Sequence, residues 1–176
     1  GPTMELGAGW RRYAWKRARA DLLPKLPLEV ARMRVRRARE LGIDYKSYAG
    51  IRAATGRDIV ALLFSDNALR LIRESAQPEP PRTDKLANVR HADLLALVHP
   101  PFGPDRVVTQ NAVLLRVDRA PGLFASWSET RERVLAVKGA TPADGVVVVG
   151  ETALEREWSV AGRLAGFLPA EQFFGA

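Results

Sequence analysis

Residues 146–149 are four consecutive valines, and they constrain this chain more than any other stretch. A half-exposed strand alternates apolar and polar residues, because its side chains point to opposite faces. A run that is apolar on both faces must be buried on both, as an inner strand of a parallel sheet is. Thr141-Pro-Ala-Asp-Gly145 ahead of it has turn composition. Thr152-Ala-Leu-Glu155 behind it reads as a capping box that opens a helix. Leu154, Trp158, Ala161, Ala165 and Leu168 follow at spacings of three and four, so this last helix is expected to carry on as far as Leu168. Upstream, residues 112–117 read as a strand, and Ser126-Trp-Ser-Glu129 opens a helix expected to end near residue 138. Strand, helix, strand, helix predicts a βαβ unit in the second half. Residues 94–98 form one more short apolar run.

The chain has 176 residues, 47% of them hydrophobic, which suffices for a real core in one domain or two small ones. It has no cysteine, which removes disulfides, thiol catalysis, zinc–thiolate sites and iron–sulfur clusters together. Its two histidines, His91 and His99, stand eight apart and predict no zinc site. No apolar run approaches the roughly 18 residues of a membrane span, and no stretch near the start has a signal peptide's apolar core. A cytoplasmic protein is expected. Gly1-Pro2-Thr3 ahead of Met4 reads as the scar of a cleaved tag.

Charge is unevenly placed. Residues 1–77 carry 16 Lys and Arg against 8 Asp and Glu, whereas residues 78–176 carry 11 against 12. Between residues 10 and 39 there are 11 basic side chains and only two acidic ones, Asp21 and Glu29. Arginine-rich composition alone would raise both halves, so the asymmetry points to a basic surface and a polyanionic partner.

The break between the halves is expected at Gln77-Pro-Glu-Pro-Pro-Arg-Thr-Asp84, where three prolines fall within four residues. The first half reads as all helix. Helices are expected at 7–22, 28–41 and 45–54, then one opening at Thr55-Gly-Arg-Asp58 that carries Ile59, Leu62, Leu63 and Phe64. A short helix is expected behind Ser65-Asp66-Asn67. The expected class is therefore α+β: a basic all-helical domain over 4–76, a proline-rich linker over 77–84, and a small α/β domain over 85–176.

Residues 34–53 resemble a helix-turn-helix DNA-binding motif. Gly42 takes the place of the turn glycine, and small Ala38 stands four before it, where the two helices touch. Apolar Leu41 and Ile43 flank the glycine, and Tyr48 and Ile51 fall six and nine after it. Asp44 suits the N-cap of the second helix. Arg37 departs from the pattern, since an apolar residue is usual five before the glycine. The resemblance implies that the second helix enters the major groove, with Lys46, Ser47 and Gly50 at base edges and Arg52 and Arg57 beside them. Arg11, Arg12, Arg17, Arg34, Arg36 and Arg39 would contact phosphates, which adds affinity without sequence choice. Trp10, Tyr13 and Trp15 are interleaved with cations, a pattern that fits stacking on single strands, a membrane surface or plain packing.

The leading expectation is thus nucleic-acid binding of the kind used in transcription regulation, with DNA ahead of RNA. The α/β part would serve a protein partner or a homodimer. The alternatives are an assembly protein for an acidic partner or structured RNA, and a small metal-dependent hydrolase or nuclease. The hydrolase would use Asp118 and Glu151, which follow the two strands of the βαβ unit at one sheet edge. His99 also follows a strand. The stretch after it shows no helix, which predicts an antiparallel return and puts His99 at the opposite edge. Val149-Gly150-Glu151 lacks the glycines or lysine of a phosphate cradle. No cofactor and no resident metal are expected.

Overall fold

The computed structural model describes residues 26–175. The chain divides into two compact units, residues 1–33 and residues 34–176. Of the first unit the described residues are extended Leu26-Pro27 and the opening turns of helix α1 (Leu28–Leu41). The expected helix over 7–22, with Arg11, Arg12 and Arg17, lies outside the described residues.

The second unit is an α/β fold. Five strands, β1 (Ala61–Ser65), β2 (Asp93–Val98), β3 (Arg116–Arg119), β4 (Val146–Gly150) and β5 (Gly166–Pro169), form one all-parallel sheet in the order β3-β2-β1-β4-β5. One face carries α1, α2 (Tyr45–Thr55), the short α3 (Asp66–Leu69), α4 (Pro80–Asn88), α5 (Pro104–Gln110) and α8 (Ala170–Gly175). Helices α6 (Trp127–Lys138) and α7 (Ala153–Ala161) cover the other. The alternation of β4 divides accordingly. Val147 and Val149 enter the first core, and Val146 and Val148 the second. The four valines form the doubly buried inner strand that their composition dictates.

The expected α+β class, with an all-helical first domain, is overturned by β1. Residues 61–65, expected within a helix, are the central strand, and every one of them is buried. Ile59, Leu62 and Leu63 do fall at helical spacing, but an unbroken apolar run satisfies a doubly buried strand equally well. The expected helix start at Thr55 is a helix end. Thr55 ends α2, and Gly56, at φ +70°, supplies the left-handed stop. Asp58 instead accepts the N–H of Ile59 and the Tyr48 hydroxyl, both on Oδ1. Burial, and after it the Asp58 contact, pushes the Tyr48 phenol up to about 12.

Three further expectations change. Pro80 and Pro81 open α4, where a missing N–H costs nothing, and the strands before and after 77–84 pair with each other. The stretch from Val98 to β3 contains α5, so β2 and β3 run parallel rather than antiparallel. The final helix stops at Ala161. Gly162 packs where a Cβ would lie 2.6 Å from Val134 Cγ1, and residues 166–169 become edge strand β5.

Helices α1 and α2 have the bounds their periodicity predicts, within a residue. Gly42, at φ +72°, ends α1, with Ile43 N–H on Ala38 O at 3.0 Å and Gly42 N–H on Arg39 O at 3.1 Å. This is a Schellman stop. The departure at Arg37 has a structural cause. Its guanidinium donates to Asp58 at 2.8 Å, to the carbonyls of Ile59 and His91 at 2.8 Å, to Arg90 O at 3.0 Å and to Glu40 at 3.2 Å. Apart from Glu40, which lies on α1 itself, these acceptors sit just ahead of β1 and β2, outside the strand pairing. Arg37→Ala is expected to cost about 3–5 kcal/mol, because partners of a largely buried charge lose it together. Arg37→Lys should recover little, since one ammonium cannot reproduce a five-donor fork. Urea denaturation of the two variants checks both expectations.

Candidate functional site

The connections leaving β1 and β4 diverge, because β1 leads to β2 on one side of the sheet and β4 leads to β5 on the other. Parallel sheets leave a crevice outside the carboxyl ends of the strands at such a switch point. The chain fills it with polar groups. Ser65, the last residue of β1, caps α3 by accepting Ala68 N–H at 2.9 Å. Thr152 caps α7 by accepting Glu155 N–H at 3.2 Å. Glu155 turns back to accept Glu151 N–H at 3.2 Å, so the capping signal in the sequence is realised with the preceding residue as donor.

Glu155 is only 1% exposed. Its carboxylate also accepts Asn67 Nδ2 at 3.0 Å and Thr152 Oγ1 at 2.5 Å. Burial pushes its pKa up, but hydrogen bonds from Ser65, Thr152, Asn67 and the Glu151 N–H outweigh that and hold it below the usual value. Glu155 thus places a fixed negative charge between β1 and β4, with both oxygens already engaged.

Asp66 is arranged differently. Its side chain is nine-tenths buried, and Oδ1 takes both the backbone N–H of His99 at 3.1 Å and the ring Nδ1 at 2.7 Å. Oδ2 accepts no hydrogen bond among the described residues, and no buried side-chain oxygen there lacks a partner, so Oδ2 is not fully sealed from solvent. The imidazole of His99 lies 6.2 Å from the ring of Trp158, centroid to centroid. Its pKa is raised chiefly by the Asp66 hydrogen bond. Burial opposes this, while the charges of Asp66 and Glu155 and the Pro121 carbonyl add to it.

Asp66 opens into a cleft of about 390 Å³, whose polar floor is Asp66, Asn67, His99 and Thr152. Pro121, Leu123, Leu154 and Trp158 supply apolar walls. A second, more open depression of about 650 Å³ shares His99, Pro121 and Gly122 with it and extends toward α6.

The structure scatters the hydrolase pair. Asp118 lies on β3 and Glu151 follows β4, with β2 and β1 between them. Three strand spacings separate the two strands by about 14 Å, too far for one ion. Asp118 accepts Arg119 N–H, and Glu151 pairs with Arg70 at 3.5 Å. Among the described residues no three acidic or histidine groups are placed to hold a metal. His99, expected at the opposite edge, sits at the carboxyl edge beside Asp66, because β2 runs parallel to β1. The pairing was hidden by Asp66, which read as a helix cap, and by the antiparallel turn expected after Val98.

The α1–α2 corner keeps its expected burial for Ala38, Leu41, Ile43 and Tyr48, while Ile51 is half-buried against the core. Lys46 and Gly50 are exposed on α2, and Arg36 and Arg39 on α1. Ser47, Arg34 and Arg52 are half-buried. Gln172 of α8 donates to Ser47 Oγ at 2.7 Å and to Asp44 at 3.0 Å. Arg57 is exposed and ion-paired with Asp144 at 2.8 Å. Among the described residues no helix is long and apolar enough to cross a membrane.

The raised pKa of His99 couples the site to stability. The folded chain holds the imidazole proton more tightly than the unfolded chain, so the Asp66–His99 pair stabilises the fold fully below the ordinary value of 6.5. That contribution is lost as pH rises through the raised value. Urea midpoints of the wild type and His99→Gln should therefore converge as pH climbs above 6.5. A difference that stays constant with pH would contradict the pairing.

Comparison with protein-family models, with curated proteins and with solved structures finds no match to this chain.

Proposed function

We propose that this chain binds a small molecule in the cleft at the carboxyl edge of its sheet, with Asp66 as the residue that recognises it. One observation carries the reading: Asp66 lines the cleft, is tied to His99 through Oδ1, and keeps Oδ2 unbonded and not sealed from solvent. A carboxylate whose rotamer is locked by one oxygen presents the other in a fixed direction, so little conformational entropy is lost on binding. The apolar walls take the body of the ligand, and Oδ2 accepts a hydrogen bond from a donor group on it. This division between an apolar lining and a few placed polar groups is the usual build of a small-molecule site.

Chemical-shift mapping with a mixed panel of small alcohols, amines and acids tests the reading. Shifts are expected at Asp66, Asn67, His99, Thr152 and Trp158, and Asp66→Asn should weaken the binding that causes them while leaving the spectrum folded. No cleft response to any member, or an equal response in Asp66→Asn, would defeat it.

A second reading, duplex nucleic-acid binding, is supported by the exposure of Arg36 and Arg39 on α1 and of Lys46 on α2, around a corner that resembles a helix-turn-helix. Here Lys46 would approach base edges and the arginines would approach phosphates. Affinity for duplex DNA should then fall with salt at a log–log slope near −0.9 per neutralised phosphate, and Arg36→Ala should lower that slope by about one. Absence of binding at low salt would end this reading and leave the cleft untouched.

A further inference from the structure

We infer that the ligand of this cleft is an organic cation, an amine whose ammonium group pairs with Asp66 Oδ2. The inference rests on the small-molecule reading above and narrows it to a chemical class. Its ground is the charge around the one open oxygen. The ionisable groups lining the cleft are Asp66, Glu155, Glu157 and His99, and neither a lysine nor an arginine is among them. Glu155 is buried and ionised, and its charge reaches His99. Within the cleft lining, three carboxylates therefore stand against one cation even with the imidazole protonated, while Arg119 and Arg133 belong to the adjoining depression, beside Glu129 and Glu132. The field at Oδ2 favours a positive charge, resists an anion and gives a neutral hydroxyl only its hydrogen bond.

The donor chemistry separates an amine from a metal ion. A hard divalent cation collects several oxygens at once. Both oxygens of Glu155 already accept protein hydrogen bonds, and so does Oδ1 of Asp66. Glu151 points to Arg70. Of the buried carboxylates, Asp66 alone keeps an unbonded oxygen, and Glu157 stands apart at the exposed rim. That suits a single ammonium, and among the described residues no three acidic or histidine groups are placed to hold a metal. The surroundings agree. Trp158, Leu154, Leu123 and Pro121 offer apolar walls for the carbon skeleton of an amine. Such walls would be idle around a hydrated ion.

Three probes of matched shape, hexylammonium, hexanol and hexanoate, together with magnesium chloride, are titrated against the full chain at low salt and followed by backbone and Trp158 resonances. Hexylammonium is expected to bind about tenfold or more tighter than hexanol, the range of a charge-assisted hydrogen bond in a partly screened site. Hexanoate should bind most weakly of the three, and magnesium should leave the cleft resonances in place. Asp66→Asn should bring hexylammonium down to the affinity of hexanol. Glu157→Gln, at the exposed rim, should reduce the advantage by a smaller factor and leave hexanol unchanged. Equal affinity for hexylammonium and hexanol, tightest binding of hexanoate, or magnesium-induced shifts at Asp66 would overturn the inference while the small-molecule reading stands. If none of the three organic probes moves a cleft resonance, both fall together.

Discussion

The fold depends on burying one short strand. β1 lies between β2 and β4 and is hydrogen-bonded to both, with no residue exposed on either face. Its Leu62 and Phe64 belong to the core under α1, α2 and α8, and its Ala61 and Leu63 to the core under α6 and α7. The two helical layers are joined through this strand. Burial on both faces leaves its backbone no water, so every peptide group must be paired within the protein. Strand pairing meets that need along its length. Arg37 meets it at the amino end, by donating to Ile59 O and His91 O.

At the carboxyl end the same demand is met by side chains, and this is where a site arises. Ser65, Asp66 and Asn67 emerge where pairing stops, and Thr152 and Glu155 do the same beyond β4. Most of their polar atoms are consumed locally as helix caps and in the shell of donors around Glu155. Among the buried side chains of the cleft, Asp66 keeps one oxygen, Oδ2, out of these bonds. Solvent reaches this oxygen, so it is no buried unsatisfied group, and a ligand donor would take the place of water there. The aromatic cluster of Phe64, Phe173 and Phe174 does the opposite work. Arg82 and Lys85 lie over its rings and fasten α8 to the face away from the cleft.

Some of this was legible in the residues and some was not. The valine run was readable because four apolar side chains in succession admit few placements. The bounds of α1 and α2 were readable because Gly42, Asp44 and Gly56 act through local backbone chemistry. β1 was not, because Ile59, Leu62 and Leu63 satisfy a helix and a buried strand alike. Only the partners β2 and β4, distant in sequence, settle the choice. β5 hid behind Ala165 and Leu168, which extend the apolar stripe of α7 past the glycine that ends it. The site suffered from the same non-locality. Asp66 and His99 are 33 residues apart, and only the parallel pairing of β1 with β2 brings them to 2.7 Å. The pair Asp118 and Glu151 looked adjacent because their strands follow each other in the sequence. The sheet inserts two strands between them. The basic corner at α1 and α2 was found by pattern, yet its departure at Arg37 was the informative residue, since that side chain serves the sheet.

The central claim is that recognition resides in the open oxygen of Asp66. Equilibrium dialysis of a cellular small-molecule extract against the wild type and Asp66→Asn, followed by mass spectrometry, tests it most directly. The account predicts that the wild type retains one or a few amine-bearing molecules that Asp66→Asn does not. Retention of the same molecules by both proteins, or of none by the wild type, would contradict it.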